Sequence, residues 1–380
     1  MYMIKRYFLL LPPETIHIIL SFLVVKDRQS LSKTSRTLRR YVHTFHFGIS
    51  MPIWEGIALN DNLNLDYRTG VYIDDKIYLV DLTLQKPVCW IFDTSQKGLA
   101  TFLSEPMDVK NDYHPVQYPA TTVVDDMIYI FGGESLRTGQ PTNHLYILKT
   151  KTMSLCKMPE NGQIPIPRSM PSLDALNASQ LALFGGTSYD LKDIHIYDIS
   201  SNSWNEISTS SNVPYARSLH STCSLNEKLY IYGGKHISSI SSESVIHDDD
   251  DTWIFDKSND AWQRYIAPIS ANLPLPLQWI RTKGVGLGKR SGAALFFLRN
   301  RLVILGGKEK NDFRTLNEEN AWEFMKILCP TKNVWRQVRI QGMPKLECLA
   351  LQVAVKNDKN IILIIGKNLN GELIIGHIRD

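Results

Sequence analysis

Four arginines recur at one position of the chain's internal pattern. Arg68-Thr69, Arg168-Ser169, Arg217-Ser218 and Arg290-Ser291 each stand where a polar stretch gives way to an apolar, strand-like run. A guanidinium is a rigid fork of donors that suits carboxylate or phosphate. Four of them around one opening would read a protein segment bearing acidic or phosphorylated side chains. The same residues could instead pin their own loops by hydrogen bonds, and the Arg217-x-x-His220 spacing favours pinning for that copy. Both chemistries stay open on the sequence.

Other reactive groups point to no catalysis. His247-Asp248-Asp249-Asp250-Asp251 follows a serine-rich stretch at 238–244, but consecutive carboxylates lack the spaced oxygens and glycine of a calcium loop. The run reads as a flexible, solvated acidic loop. His220, His236 and the tyrosines form no metal constellation in the sequence, and no Gly-x-Ser-x-Gly, His-Glu-x-x-His or phosphate loop occurs. No catalytic residue, cofactor or metal is assigned. The five cysteines, Cys89, Cys156, Cys223, Cys329 and Cys348, are odd in number and never spaced C-x-x-C, which suggests a reducing compartment.

The elements that must position the arginines are strands. Ile128-Tyr129-Ile130-Phe131 runs into Gly132-Gly133, and the same apolar run with paired glycines recurs at 181–186, 229–234 and 302–307. Degenerate copies lie at 77–82 and 361–366. Each unit adds a strand with bulky residues two apart, such as Trp90 and Phe92 or Trp253 and Phe255, and three units show a fourth-strand tryptophan, Trp204, Trp262 or Trp335. A strand end that turns sharply beside a neighbour favours residues free of a Cβ. Tandem four-stranded units about 50 residues long resemble the kelch repeat. The resemblance runs from residue 51 to 380 and implies an all-β, six-bladed kelch β-propeller. The last unit shows three strands, and the segment 52–59, with Trp54, resembles a fourth. It is expected to complete that blade and remove an open edge.

Alternate connections of such a sheet fall on opposite faces. First-to-second turns are short and polar, as at Asp74-Asp75-Lys76 and Asn226-Glu227-Lys228. The other face is expected to carry long loops at 134–144, 235–251 and 308–320, and between blades at 104–117, 158–167 and 266–289. Long loops on a rigid scaffold are where binding resides, so substrate binding is expected there. One insertion, Leu273-Pro274-Leu275-Pro276-Leu277-Gln278-Trp279-Ile280, reads either as a partner contact or as packing across a blade.

Before residue 48 the period changes to helical. Ile16, Ile19, Leu20 and Leu23 stand at i, i+3, i+4 and i+7, and so do Leu38, Tyr41, Val42 and Phe45. Three short helices in 8–47 cannot enclose a core alone. Leu11-Pro12-Pro13-Glu14, Ile19-Leu20-Ser21-Phe22-Leu23 and the Ser35-Arg36 to Arg40 stretch resemble the F-box, although Leu38 stands near the place of that family's common aromatic residue. The resemblance implies docking on the Skp-type adaptor of a cullin-RING ubiquitin ligase through Leu11, Pro12, Ile16, Ile19, Leu20, Leu23, Leu31 and Leu38. The expected function is substrate recognition for an SCF-type ligase without catalysis of its own, and the alternative is a non-degradative kelch scaffold.

Composition sets the frame. In 380 residues, 42 Lys and Arg against 38 Asp and Glu give +4, too little for a protein that coats nucleic acid. The apolar run at 7–11 stops at Pro12-Pro13, too short for a signal, and no segment approaches the roughly 18 to 20 apolar residues of a membrane helix. The expected protein is soluble and cytoplasmic or nuclear, with no nucleic acid or membrane partner.

Overall fold

The apolar runs that end in paired glycines become the second strands of sheets. In Met127–Phe131 and Gln180–Phe184 every residue after the first is buried. A strand covered on both faces needs a continuous apolar run rather than alternation, because both rows of side chains meet a neighbouring sheet. The structure is a computed structural model. It describes residues 53–59, 69–94, 102–110, 113–187, 191–208, 213–240, 243–248, 251–265, 290–298, 301–309, 324–329, 334–340, 353–356, 362–367 and 373–379. The expected adaptor-binding residues Leu11, Pro12, Ile16, Ile19, Leu20, Leu23, Leu31 and Leu38 lie outside the described residues, as do Arg68 and the 273–280 insertion.

Among the described residues there are strands and no helices, and the assembly is propeller-like. Sheet 1 runs Thr69–Ile73, Lys76–Asp81, Val88–Asp93, Phe102–Pro106. Sheet 2 runs Ala120–Val124, Met127–Phe131, Leu145–Lys149, Ser154–Lys157. Sheet 3 holds Ser172–Asn177, Gln180–Phe184, Ile194–Asp198 and Ser203–Glu206, and sheet 4 holds Ser221–Leu225, Lys228–Tyr232, Thr252–Asp256 and Ala261–Tyr265. Sheet 5 holds Arg290–Leu298, Arg301–Glu309, Phe324–Cys329 and Val334–Arg339. Sheet 6 joins the two ends of the described chain: Val353–Lys356, Ile362–Lys367 and Leu373–Arg379 are followed by Ile53–Leu59. That last pairing is antiparallel over seven residues, from Ile53 opposite Arg379 to Leu59 opposite Leu373.

First strands of consecutive sheets lie side by side, from sheet 1 through sheet 6 and back to sheet 1. The core sits between sheets. Val80, Ile130 and Tyr146 pack between sheets 1 and 2, Phe131, Leu183 and Trp204 between 2 and 3, and Phe184, Ile231 and Trp262 between 3 and 4. Each fully buried Ile, Leu or Phe contributes roughly 1.5–3 kcal/mol. Cys89 is buried in sheet 1, and burial pushes its thiol up to about 12, so it stays protonated and inert at neutral pH.

Three loop expectations are corrected. The stretch 104–117 is not one long loop. Asp108–Lys110 adds a parallel strand to the outer edge of sheet 2, against Ser154–Lys157, and Val116–Gln117 pairs with Glu134–Ser135. The 158–167 stretch does the same at Gly162, which bridges Trp204 in parallel. Unpaired edge groups capture passing chain, so less loop reaches the face than sequence spacing implies. The serine-rich acidic stretch is a hairpin, Lys235–Ile240 against Glu243–Asp248, rather than a flexible loop.

Candidate functional site: the long-loop face

The paired glycines are required where one sheet meets the next. Gly185 and Gly186 have φ of +66° and +113°, in the region that favours glycine. A Cβ on Gly185 would stand 2.5 Å from the Arg217 carbonyl oxygen, and one on Gly186 would stand 2.8 Å from that of Ser169. Gly132 meets the Arg168 carbonyl oxygen in the same way, at 2.6 Å. The approach is so close because the backbones are bonded across it. Gly133 N–H donates to Arg168 O and Gly186 N–H donates to Arg217 O. Arg168 and Arg217 thus each join their own sheet to the preceding one through the carbonyl.

The side chains of Arg168 and Arg217 turn inward and are almost wholly buried. Arg168 Nε donates to the Ile166 carbonyl at 3.1 Å and Nη1 to that of Gly185 at 3.3 Å, while Nη1 and Nη2 meet Asp193 Oδ1 and Oδ2 at 3.1 and 2.5 Å. Arg217 repeats the pattern: Nε to Tyr215 O at 3.1 Å, Nη1 to Gly233 O at 2.9 Å and to Asp251 Oδ1 at 2.7 Å. The other Asp251 oxygen accepts from Trp253 Nε1 at 2.7 Å. The last aspartate of the acidic run is therefore a structural partner, with its side chain 9% exposed. Burial alone would raise Asp193, but hydrogen bonds from His195 and Arg168, and the Arg168 charge, hold it well below the usual carboxylate range. Burial, with the Arg217 charge beside it, pushes His220 down to about 3, so its imidazole is neutral, with Nε2 2.9 Å from Ser172 Oγ.

Of the four arginines, the described geometry therefore gives Arg168 and Arg217 the loop-pinning arrangement. Arg290 begins a strand with its backbone opposite Glu309. Pinning has a visible product. The Nε of each buried arginine holds the carbonyl two residues earlier, and those residues, Ile166 and Tyr215, are 45% and 61% exposed. The Tyr215 ring stacks on His236 with centroids 5.1 Å apart and 18° between planes. Asn143 Nδ2 braces the Ile166 loop through the Pro165 carbonyl.

Two further apolar side chains stand on this face. Leu84 is 47% exposed on a loop held by Tyr113, whose hydroxyl donates to the Leu82 carbonyl at 2.5 Å. Leu136, also 47% exposed, sits on the tight 134–140 turn, with its amide bonded to the Pro115 carbonyl. Of five exposed large apolar residues among the described ones, these four share the long-loop face, and only Leu103 lies elsewhere. Sequence reading missed them. A signal exists in Pro165-Ile166-Pro167-Arg168 and Pro214-Tyr215-Ala216-Arg217, where an apolar residue follows proline two places before the arginine. No group of His, Cys, Asp and Glu among the described residues could hold a metal.

Comparison with known proteins agrees with this architecture. An F-box domain model matches residues 8–50, and the KLHDC2/KLHL20/DRC7 kelch-repeats domain model matches residues 119–279. The chain is an F-box/kelch protein. It is 28% identical over 158 residues, 41% of its length, to acyl-CoA-binding domain-containing protein 4 of Arabidopsis thaliana, of which the match covers 22%. The first three curated relatives are covered over only 9–22% of their lengths. Kelch domain-containing protein 3 of Bos taurus is 25% identical over 59% of this chain and 54% of its own. A sulfolyase of Thlaspi arvense, N-(sulfonatooxy)prop-2-enimidothioate sulfolyase, is 25% identical over 59% of this chain and 62% of its own. The solved structure of YjhT superposes with a TM-score of 0.59 at 15% identity, covering 83% of this F-box/kelch chain and 94% of YjhT, which speaks to the fold alone.

Proposed function

We propose that the F-box/kelch chain is the substrate-recognition subunit of an SCF-type cullin-RING ubiquitin ligase. Its F-box binds the Skp-type adaptor, and its six sheets act as the blades of one closed propeller that takes a target protein on the long-loop face. The observation that carries the reading is the pairing of an F-box with a face that gathers Leu84, Leu136, Ile166 and Tyr215. Exposed apolar side chains held by buried hydrogen bonds suit anchors for a partner, since their positions cost little to fix on binding. Such a receptor acts without catalysis of its own, in cytoplasm or nucleus, by holding target lysines near a conjugating enzyme.

The arginine ring divides in this reading. Arg168 and Arg217 each have an aspartate immediately before the third strand, Asp193 and Asp251. The positions that align with these aspartates in the units of Arg68 and Arg290 hold Val88 and Asn320. We assign Arg68 and Arg290 as the arginines that meet an acidic or phosphorylated target, and Arg168 and Arg217 as positioning residues.

Affinity capture of the full chain tests the proposal. Adaptor and cullin should be recovered together, and Leu11→Ala with Pro12→Ala should abolish both while the target stays bound. A chain that captures partners on the long-loop face but recovers no cullin is a non-degradative scaffold.

A further inference from the structure

We propose that Asn161 is a site of spontaneous modification, where Gly162 converts the asparagine to isoaspartate and aspartate and so releases the chain that caps the outer edge of sheet 3. The sequence supplies the reactive pair. Asn161-Gly162 is one of two Asn-Gly steps in the chain, and the other, Asn370-Gly371, lies outside the described residues. Asparagine is thermolabile, and a following glycine has no Cβ to block the approach of its nitrogen to the carboxamide. The fold cannot exchange that glycine for another residue. Gly162 stands at φ +78°, and a Cβ there would lie 2.2 Å from the Trp204 carbonyl oxygen.

The bridge to Trp204 leaves the reacting atoms outside it. Trp204 N–H donates to the Asn161 carbonyl at 3.0 Å, and Gln163 N–H donates to the Trp204 carbonyl at 2.8 Å. In such a parallel bridge the residue between turns its own N–H the other way, and the Gly162 N–H has no hydrogen-bond partner among the described residues. Asn161 is exposed, and its carboxamide is held by a 3.3 Å bond from Nδ2 to the Asn202 carbonyl. The reaction balances with water alone. The Gly162 nitrogen bonds to Asn161 Cγ, the Cγ–Nδ2 bond breaks, and ammonia leaves with the amide proton. Water then opens the five-membered imide. Opening at Cγ gives aspartate, and opening at the former main-chain carbonyl gives isoaspartate, with the chain now running through Cγ.

Neither product keeps the cap. Isoaspartate inserts one extra backbone carbon and turns the carbonyl that Trp204 holds into a free carboxylate, so the bonds at 161 and 163 lose their shared register. Aspartate loses the donor to Asn202 and sets a carboxylate against that carbonyl, next in sequence to Glu160. Two things are released. One is the edge strand Ser203–Glu206, whose Glu206 N–H also donates to Gln163 Oε1 at 3.0 Å. The other is the chain that leads on to the exposed Ile166.

Peptide mass spectrometry of the full chain, held for weeks at neutral pH and body temperature, tests the proposal. Conversion of amide to acid at Asn161, with isoaspartyl methyltransferase labelling the same peptide, should run within roughly tenfold of its rate in a free 158–167 peptide, since edge segments open at low free energy. An intact Asn161 in the full chain after the free peptide has converted would overturn it. Amide hydrogen exchange measures the consequence. At Trp204, whose N–H is bonded to Asn161, exchange should quicken by about threefold or more in the aged chain, while Leu183 and Ile196 in the buried interior of the same sheet stay slow. The variant Asn161→Gln keeps the main-chain carbonyl that Trp204 uses and reacts far more slowly, because its imide would need a larger ring. It should hold its exchange rate through the same incubation. Equal quickening in that variant would sink the link between the modification and the cap. Neither readout uses adaptor or target, so failure of the proposed function leaves this result standing on its own.

Discussion

Tyr215 and Arg217 stand two residues apart, and their replacement by alanine should give opposite phenotypes. Arg217→Ala removes a guanidinium that holds the carbonyls of Tyr215 and Gly233 and the Asp251 carboxylate. Asp251 is left with Trp253 Nε1 but without that cation. Breaking a buried pair by deleting one partner costs roughly 3–5 kcal/mol, because the surviving charge stays desolvated. For a domain of this size that lowers the melting temperature by about 4–7 °C. Arg217→Lys should recover little of it, since one ammonium cannot replace a fork that meets three acceptors. Tyr215→Ala removes a side chain from a 61% exposed residue. Its stability cost should stay within about 0.5 kcal/mol, while a target anchored on the ring should lose about 2 kcal/mol, or roughly thirtyfold in affinity. Calorimetry of both variants and binding to a captured target decide the matter. The reasoning fails if Arg217→Ala melts like wild type, or if Tyr215→Ala is destabilised as much as Arg217→Ala.

Three other outcomes are expected. Gly185→Ala combines a left-handed φ with a backbone clash and should cost roughly 2–5 kcal/mol, whereas Gly139→Ala, at φ +68° with nothing within 4 Å, should cost only about 1 kcal/mol by denaturant unfolding. Deleting residues 1–47 should leave a soluble propeller, while deleting 1–62 strips Ile53–Leu59 from sheet 6 and should cause aggregation visible by light scattering. Burial raises Asp174 to about 6 despite the Thr222 hydrogen bond, so the fold favours its protonated form. That contribution is complete below pH 4 and lost as pH rises through 6. Asp174→Asn should therefore gain up to about 3 kcal/mol over wild type at pH 8 and nothing at pH 3.5, by urea titration at each pH.

What the sequence discloses of this molecule depends on how local the cause is. The second strands were legible because a four-residue apolar run with two glycines is a local signature, and the close approaches at Gly132, Gly133, Gly185 and Gly186 supply its physical reason. The partners of the arginines were not read, since Asp193 lies 25 residues from Arg168 and Asp251 lies 34 from Arg217. Aligning the units against one another exposes them. Where the arginine is replaced by Val116, the aspartate is replaced by His144. Loop lengths misled for a different reason: outer sheet edges recruit chain, and that pairing depends on the neighbouring sheet, not on the loop's own residues.

In the proposed receptor, the joint between the F-box end and the target-binding end sets what tethering can achieve. Tethering raises the local concentration of target lysines only if the distance between the two ends is fixed near the span to be bridged. A loose joint would spread the target over a larger volume and dilute the effect. Two features of the chain oppose such looseness: the F-box match stops two residues short of Ile53, and Ile53–Leu59 is a seven-residue strand in the sheet rather than a spacer. Lengthening that joint tests the point without touching either binding surface. Inserting a flexible Gly-Ser stretch of about ten residues after Pro52 allows an end-to-end excursion of roughly 17 Å. Adaptor and target binding should each stay at wild-type affinity, while ubiquitin transfer to the target by a reconstituted ligase should slow or scatter over more lysines. Transfer that keeps both its rate and its lysine choice would show that the rigid joint plays no part in positioning.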